Sequence, residues 1–117
     1  MTRKELEQRT KKFAHDCVKV AMLLPDTTLG RHIRGQLIRC STSVPANYRA
    51  ANLAQSKAAF AAKLSIVIEE ADESSFWLEF TTEENLLSTG TTDPLIKEAY
   101  ELCSIFISSR KSIQAGS

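Results

Sequence analysis

The stretch Gln36-Leu37-Ile38-Arg39-Cys40-Ser41-Thr42-Ser43-Val44-Pro45-Ala46-Asn47 decides the fold. Leu37, Cys40 and Val44 keep the alternating three-and-four spacing of one helix face. Leu29 and Ile33 extend that stripe backward, and Tyr48 extends it past Pro45. Three hydroxyl residues and a proline sit inside it. A proline in a helix removes one N–H and clashes with the carbonyl four residues back, here Ser41, at a usual cost of about 3 kcal/mol. Two readings follow. Either one long helix is kinked at Pro45, with Ser41 and Ser43 hydroxyls bonding the freed carbonyls and Asn47 tying helices together. Or two short helices join at Ser43-Val44-Pro45, with Pro45 at the first helical position. The unbroken stripe selects the first.

Working outward, Thr2-Arg3-Lys4-Glu5 fits a capping box that opens a first helix. Leu6, Thr10, Phe13, Cys17, Val20 and Leu24 form its stripe, and Lys11, Lys12, Asp16 and Lys19 fall off it. Pro25-Asp26-Thr27-Thr28 makes a turn, and the second helix starts near Thr28. Gly30 and Gly35 within it each cost about 1 kcal/mol relative to Ala, which close helix contact would offset. Ser56 caps a third helix reaching Leu87, with Phe60, Leu64, Val67, Ala71, Ser74, Leu78 and Thr81 on one face. A second apolar set, Ile66, Ile68, Phe76, Trp77 and Phe80, is wider than a two-helix seam needs; aromatics so spaced serve a core or an interface. Ser88-Thr89-Gly90-Thr91-Thr92 reads as a linker. Asp93 then caps a fourth helix with Pro94 at its first position. Leu95, Ala99, Leu102, Phe106 and Ile113 are its stripe, and the tail from Gln114 to Ser117 is expected to fray. Four helices with short connections predict one all-α domain over 1–117, an up-down-up-down four-helix bundle.

Composition narrows the function. At 117 residues the chain holds one modest core. No apolar run approaches the roughly 20 residues that span a bilayer, and the N-terminus leads into a charged amphipathic segment, so the expectation is a cytoplasmic protein without a membrane role. Cys17, Cys40 and Cys103 are widely spaced at core-type positions, where a free thiol acts as a small apolar group. His15 and His32 lack the Glu three residues earlier that a di-iron bundle needs. Glu69-Glu70-Ala71-Asp72-Glu73 reads as a solvated face or a partner for Arg, not as a cation site. Neither a Gly-x-Ser-x-Gly elbow nor a phosphate loop is present. The expectation is a non-enzyme with no metal and no cofactor.

Charge is the strongest functional signal. Residues 1–63 carry twelve Lys/Arg and four Asp/Glu, a balance of +8, whereas residues 64–117 carry three and ten, a balance of −7. The basic half fits an anionic partner such as nucleic acid, or it packs beside the acidic half within or between subunits. The candidate phosphate contacts are Arg31, Arg34, Arg49 and Lys57, with Lys11, Lys12 and Lys19 from the first helix. Arg39 and Arg49 are equally suited to bridge to the acids of the third helix, and Arg39 is read that way. No aromatic platform accompanies these cations, so base-specific reading of single strands is not expected.

The Gln36–Asn47 run resembles the signature of bacterial four-helix-bundle proteins encoded by 23S ribosomal RNA intervening sequences. The Leu24-Pro25 turn, Ala61-Ala62-Lys63-Leu64-Ser65-Ile66 and Glu69-Glu70-Ala71-Asp72-Glu73-Ser74-Ser75-Phe76-Trp77-Leu78-Glu79 match as well. Many members follow the Asn with Ile-Ala-Glu-Gly. Tyr48-Arg49-Ala50-Ala51 replaces that acid with a base and looks like another branch. The resemblance implies a cytoplasmic homo-oligomer, a pentameric barrel of bundles. It also implies kinship with the accessory protein of diversity-generating retroelements, which binds nucleic acid and a reverse transcriptase through a basic surface. Two functions are carried forward. One is an oligomeric, non-enzymatic protein that associates with RNA or DNA through helices 1 and 2. The alternative is a homo-oligomeric scaffold for a protein partner, without nucleic acid.

Overall fold

The computed structural model describes residues 1–116. Its four helices are α1 (Arg3–Ala21), α2 (Thr28–Ala51), α3 (Lys57–Glu83) and α4 (Thr89–Ala115). Each packs on its two neighbours in the cyclic order α1, α2, α3, α4, with the α1–α4 seam the sparsest. The result is an up-down-up-down bundle of 48 × 20 × 20 Å. None of these helices is long and apolar enough to cross a membrane.

Caps fix where three helices begin. The hydroxyls of Thr2, Thr27 and Ser56 accept from the backbone N–H of Glu5, Gly30 and Ala59. The four stripes then meet: Phe13, Cys17, Leu37, Cys40, Val44, Leu64, Val67, Leu78, Leu102 and Phe106 are at most 1% exposed. Burying each Leu, Val or Phe contributes about 1.5–3 kcal/mol, which is what holds helices that would not persist alone. Tyr48 closes one end of the core against Phe106, their ring centres 5.0 Å apart.

Helix α2 runs unbroken through Pro45, so the two-helix reading is excluded. The hydroxyls nearby act differently from the expectation. Ser41 and Thr42 donate to the carbonyls of Ile38 and Arg39, a turn before the one that Pro45 frees. Asn47 donates to the Ser43 carbonyl and hydroxyl at 2.9 and 2.8 Å, so it braces its own helix instead of joining two. The glycines divide. A side chain on Gly30 would collide with the Pro25 carbonyl, whereas Gly35 faces open space. Close approach therefore explains Gly30 alone.

Four helix ends differ from the sequence reading. Helix α1 stops at Ala21, and Leu24 reaches the core from the following turn. Helix α3 stops at Glu83, before Leu87, because Asn85 takes a left-handed conformation (φ 58°). The N–H groups of Asn85 and Leu86 then turn back to the carbonyls of Thr82 and Thr81, a Schellman stop. Helix α4 starts at Thr89, so the expected linker is its first turn and Pro94 lies inside it. Thr92 is fully buried there and shares a hydrogen bond with Thr82 of α3, pulling that turn against the bundle. At the far end, Gln114 and Ala115 are helical and Gly116 caps the helix, in place of the expected frayed tail; Ser117 lies outside the described residues.

Candidate nucleic-acid interface

Several of the cations singled out by sequence are engaged within the chain. Arg31 donates to the Asp26 carboxylate at 2.8 Å and to the Asp26 carbonyl at 3.3 Å. Arg34 donates to the Leu24 carbonyl at 2.7 Å. Both arginines thus fasten the α1–α2 turn. Arg39 forms ion pairs with Glu70 and Glu73 of α3, as expected, and its hydrogen bond to Glu73 raises its pKa above the usual guanidinium range. Lys57 reaches the Gly116 carbonyl at 3.3 Å, in the cleft between α3 and α4. The structure does not bring it to the cations of α1 and α2.

What remains comes together on the outer face of α1 and α2. A groove of about 870 Å³ runs between them. Ala14, Val18, Pro45 and Ala46 make its floor, and Lys4, Lys11, His15 and Arg49 stand around it. Glu7 is the one acid among its described lining residues. Lys11, His15 and Arg49 are exposed. Lys12 and Lys19 are exposed on α1 without lining this groove, and Lys12 is held by Asp16 at 2.7 Å, an i,i+4 pair that raises its pKa.

Lys4 and His15 were not among the candidates, yet their signal is in the sequence. Lys4, Lys11 and His15 are seven and four apart and share one face of α1. Arg9 was also missed. It makes paired hydrogen bonds to Glu98 at 2.8 and 2.7 Å and reaches Glu101 at 3.0 Å, linking α1 to α4. The Glu98 bond raises the Arg9 pKa against the opposing effect of burial.

The thiols are poorly suited to nucleophilic chemistry. Burial pushes the Cys40 thiol up to about 11 and raises Cys17 and Cys103 as well. His32 lies edge-on to Trp77, ring centres 5.5 Å apart, on the α2–α3 side. Among the described residues, no three or more His, Cys, Asp or Glu converge as metal ligands would.

No curated protein matches the chain. A crystal structure of a protein of unknown function from the S23 ribosomal protein family of Bacteroides thetaiotaomicron VPI-5482 is similar throughout. The two share 28% identity and a TM-score of 0.86, over 95% of this chain and 99% of that one. The family model described as 23S rRNA-intervening sequence protein matches residues 3–108, almost the whole bundle. The chain therefore belongs to the 23S rRNA-intervening sequence protein family.

Proposed function

We propose that this protein is a non-enzymatic, oligomeric protein that associates with RNA or another nucleic acid through the cationic α1–α2 face. The observation that carries the reading is the groove in which Lys4, Lys11, His15 and Arg49 surround an apolar floor. Ammonium and guanidinium groups donate to phosphate oxygens, and a concave cationic track suits a backbone better than it suits a base edge. The described lining of this groove holds no Phe, Tyr or Trp, which agrees with shape and charge recognition. The family name, which ties these proteins to 23S rRNA genes, supports RNA as the partner.

Binding of a structured RNA hairpin, followed by fluorescence polarisation over about 50 to 300 mM salt, tests this. Each neutralised phosphate releases counterions, so log K is expected to fall by about 0.7–0.9 per decade of salt per contact. Lys11→Ala with Arg49→Ala is expected to weaken binding and flatten that slope by about two. Arg31→Ala with Arg34→Ala is expected to change stability and leave the slope in place, because both arginines hold the turn. No affinity at the lowest salt, or a slope indifferent to Lys11 and Arg49, refutes the reading.

A further inference from the structure

The charge imbalance of the sequence takes a spatial form in the bundle. Helices α1 and α3 begin, and α2 and α4 finish, at one and the same end. Lys57 at the start of α3 touches Gly116 at the close of α4, and Lys4 of α1 shares a groove with Arg49 near the close of α2. Residues 1–15, 40–68 and 102–116 make up this half of the molecule. They carry ten Lys/Arg and two Asp/Glu, a balance of +8, whereas the other half carries five and twelve, a balance of −7. Helix α3 has no acid before Glu69 and α4 none after Glu101, so the acidic part of the sequence adds Arg110 and Lys111 to the basic end. So many like charges at one end repel one another, and an anionic partner relieves the repulsion.

Two cationic clefts open at that end, on opposite sides of the bundle. One is the α1–α2 groove. The other lies between α3 and α4, holds about 430 Å³, and is lined by Lys57, Ala58, Ala61, Ala62 and Ser65. Arg110 crosses from α4 to donate to the Ser65 hydroxyl at 3.2 Å, and Lys111 beside it in the chain is exposed. The partners of Lys57 and Arg110 are a carbonyl and a hydroxyl. Neither neutralises a cation, unlike the carboxylates that face Arg9, Lys12, Arg31 and Arg39. Neutral groups thus orient Lys57 and Arg110 while their charge and further N–H donors stay available to phosphate.

We infer that the α3–α4 cleft is a second phosphate-contacting site, and that a nucleic acid held by the α1–α2 groove crosses the basic end to reach it. The inference rests on the nucleic-acid reading above and adds its footprint: the ligand is a stem long enough to meet both clefts. The cations of α1 from Lys4 to His15 cover about 16 Å at 1.5 Å per residue. About six base pairs fill that length at roughly 3 Å each. Crossing a bundle 20 Å wide takes about seven more.

Fluorescence polarisation on the full chain tests it with two RNA hairpins, their stems about six and about sixteen base pairs long. Lys57→Ala with Lys111→Ala removes two exposed charges from the far cleft. With the long stem this variant is expected to bind more weakly and to flatten the salt slope by about two. With the short stem it is expected to match the wild type. Lys57→Arg with Lys111→Arg is expected to restore the long-stem slope. Lys19→Ala with Lys97→Ala removes two exposed charges from the other half of the bundle and is expected to leave both slopes in place. A long-stem slope unmoved by Lys57→Ala with Lys111→Ala, or an equal loss with the short stem or in the Lys19 and Lys97 variant, overturns the inference. The groove reading survives those results where Lys11→Ala with Arg49→Ala still weakens both stems. Failure of the wild type to bind either stem overturns both.

Discussion

Gly30→Ala and Gly35→Ala are the same substitution on the same helix, and they are expected to move stability in opposite directions. Helix propensity alone favours Ala over Gly by about 1 kcal/mol at either site. At position 35 nothing lies within reach of the new methyl group, so the gain is kept. At position 30 the methyl overlaps the Pro25 carbonyl oxygen and comes within 3.0 Å of its carbon. It also comes within 3.1 Å of the Thr27 hydroxyl, the cap that receives the Gly30 N–H. The obstacle is backbone, so the turn must shift and the cap loosens. Overpacking of this kind costs about 1–3 kcal/mol, and loss of a Thr cap about 1 kcal/mol. Set against the propensity gain, Gly30→Ala should destabilise by about 1–3 kcal/mol and Gly35→Ala should stabilise by about 1 kcal/mol. Urea unfolding at one fixed protein concentration measures both. With an m-value of about 1.5–2 kcal/mol/M, Gly35→Ala raises the midpoint by about 0.5 M, and Gly30→Ala lowers it by at least as much. If both raise the midpoint, the account of the Pro25 turn is wrong.

The helix stop at Asn85 gives a second prediction. Asn85→Ala is expected to cost about 1–2 kcal/mol because a Cβ without a local hydrogen bond disfavours the left-handed region, while Asn85→Gly should be near neutral in the same urea titration. The thiols give a third, in pH. Burial raises the folded pKa of Cys17 and Cys40, the latter from 9.0 to about 11, so the unfolded chain loses these protons first. Their contribution is fully present below pH 9 and is lost as pH rises toward 11. The urea midpoint should therefore fall between pH 8 and pH 10.5, and less steeply in Cys17→Ala with Cys40→Ala; an unchanged slope refutes the assignment.

The helices and the core were legible because stripe and cap agree at the starts of α1 and α3, and the stripe alone marks α2. Thr2 and Ser56 act as read, and the inner faces of α1, α2 and α3 bury the residues their spacing named, apart from Leu29 and Phe60, which are half-buried. The boundary errors have one physical source. Asn85 and the Ser88–Thr92 run have local preferences that do not choose between loop and helix end; tertiary contact chooses, through the Thr82–Thr92 bond and the Schellman stop. The cations divide similarly. Arg39 was readable because its acids lie at helical spacing on the facing helix. Arg31 and Arg34 were not, because their partners are an acid and a carbonyl in a turn whose path no periodicity describes. The Lys4–Lys11–His15 face carried a visible spacing signal, but the groove it borders exists only once α1 and α2 are packed.

The buried hydroxyls have a consequence for how this fold drifts. Thr10, Ser41, Ser75 and Thr81 each donate to a carbonyl of their own helix, and Ser74 does so while touching the Cys40 sulfur. Those carbonyls belong to backbones that already carry helical bonds, so at Thr10, Ser75 and Thr81 removing the hydroxyl strands no partner on another helix, whereas Ser74 and Thr92 also bond Cys40 and Thr82 of neighbouring helices. Helix meets helix in this interior chiefly by shape. Small side chains can therefore replace one another at Thr10, Ser75 and Thr81 without a matching change on another helix, a freedom that Ser74, bonded to Cys40, does not share.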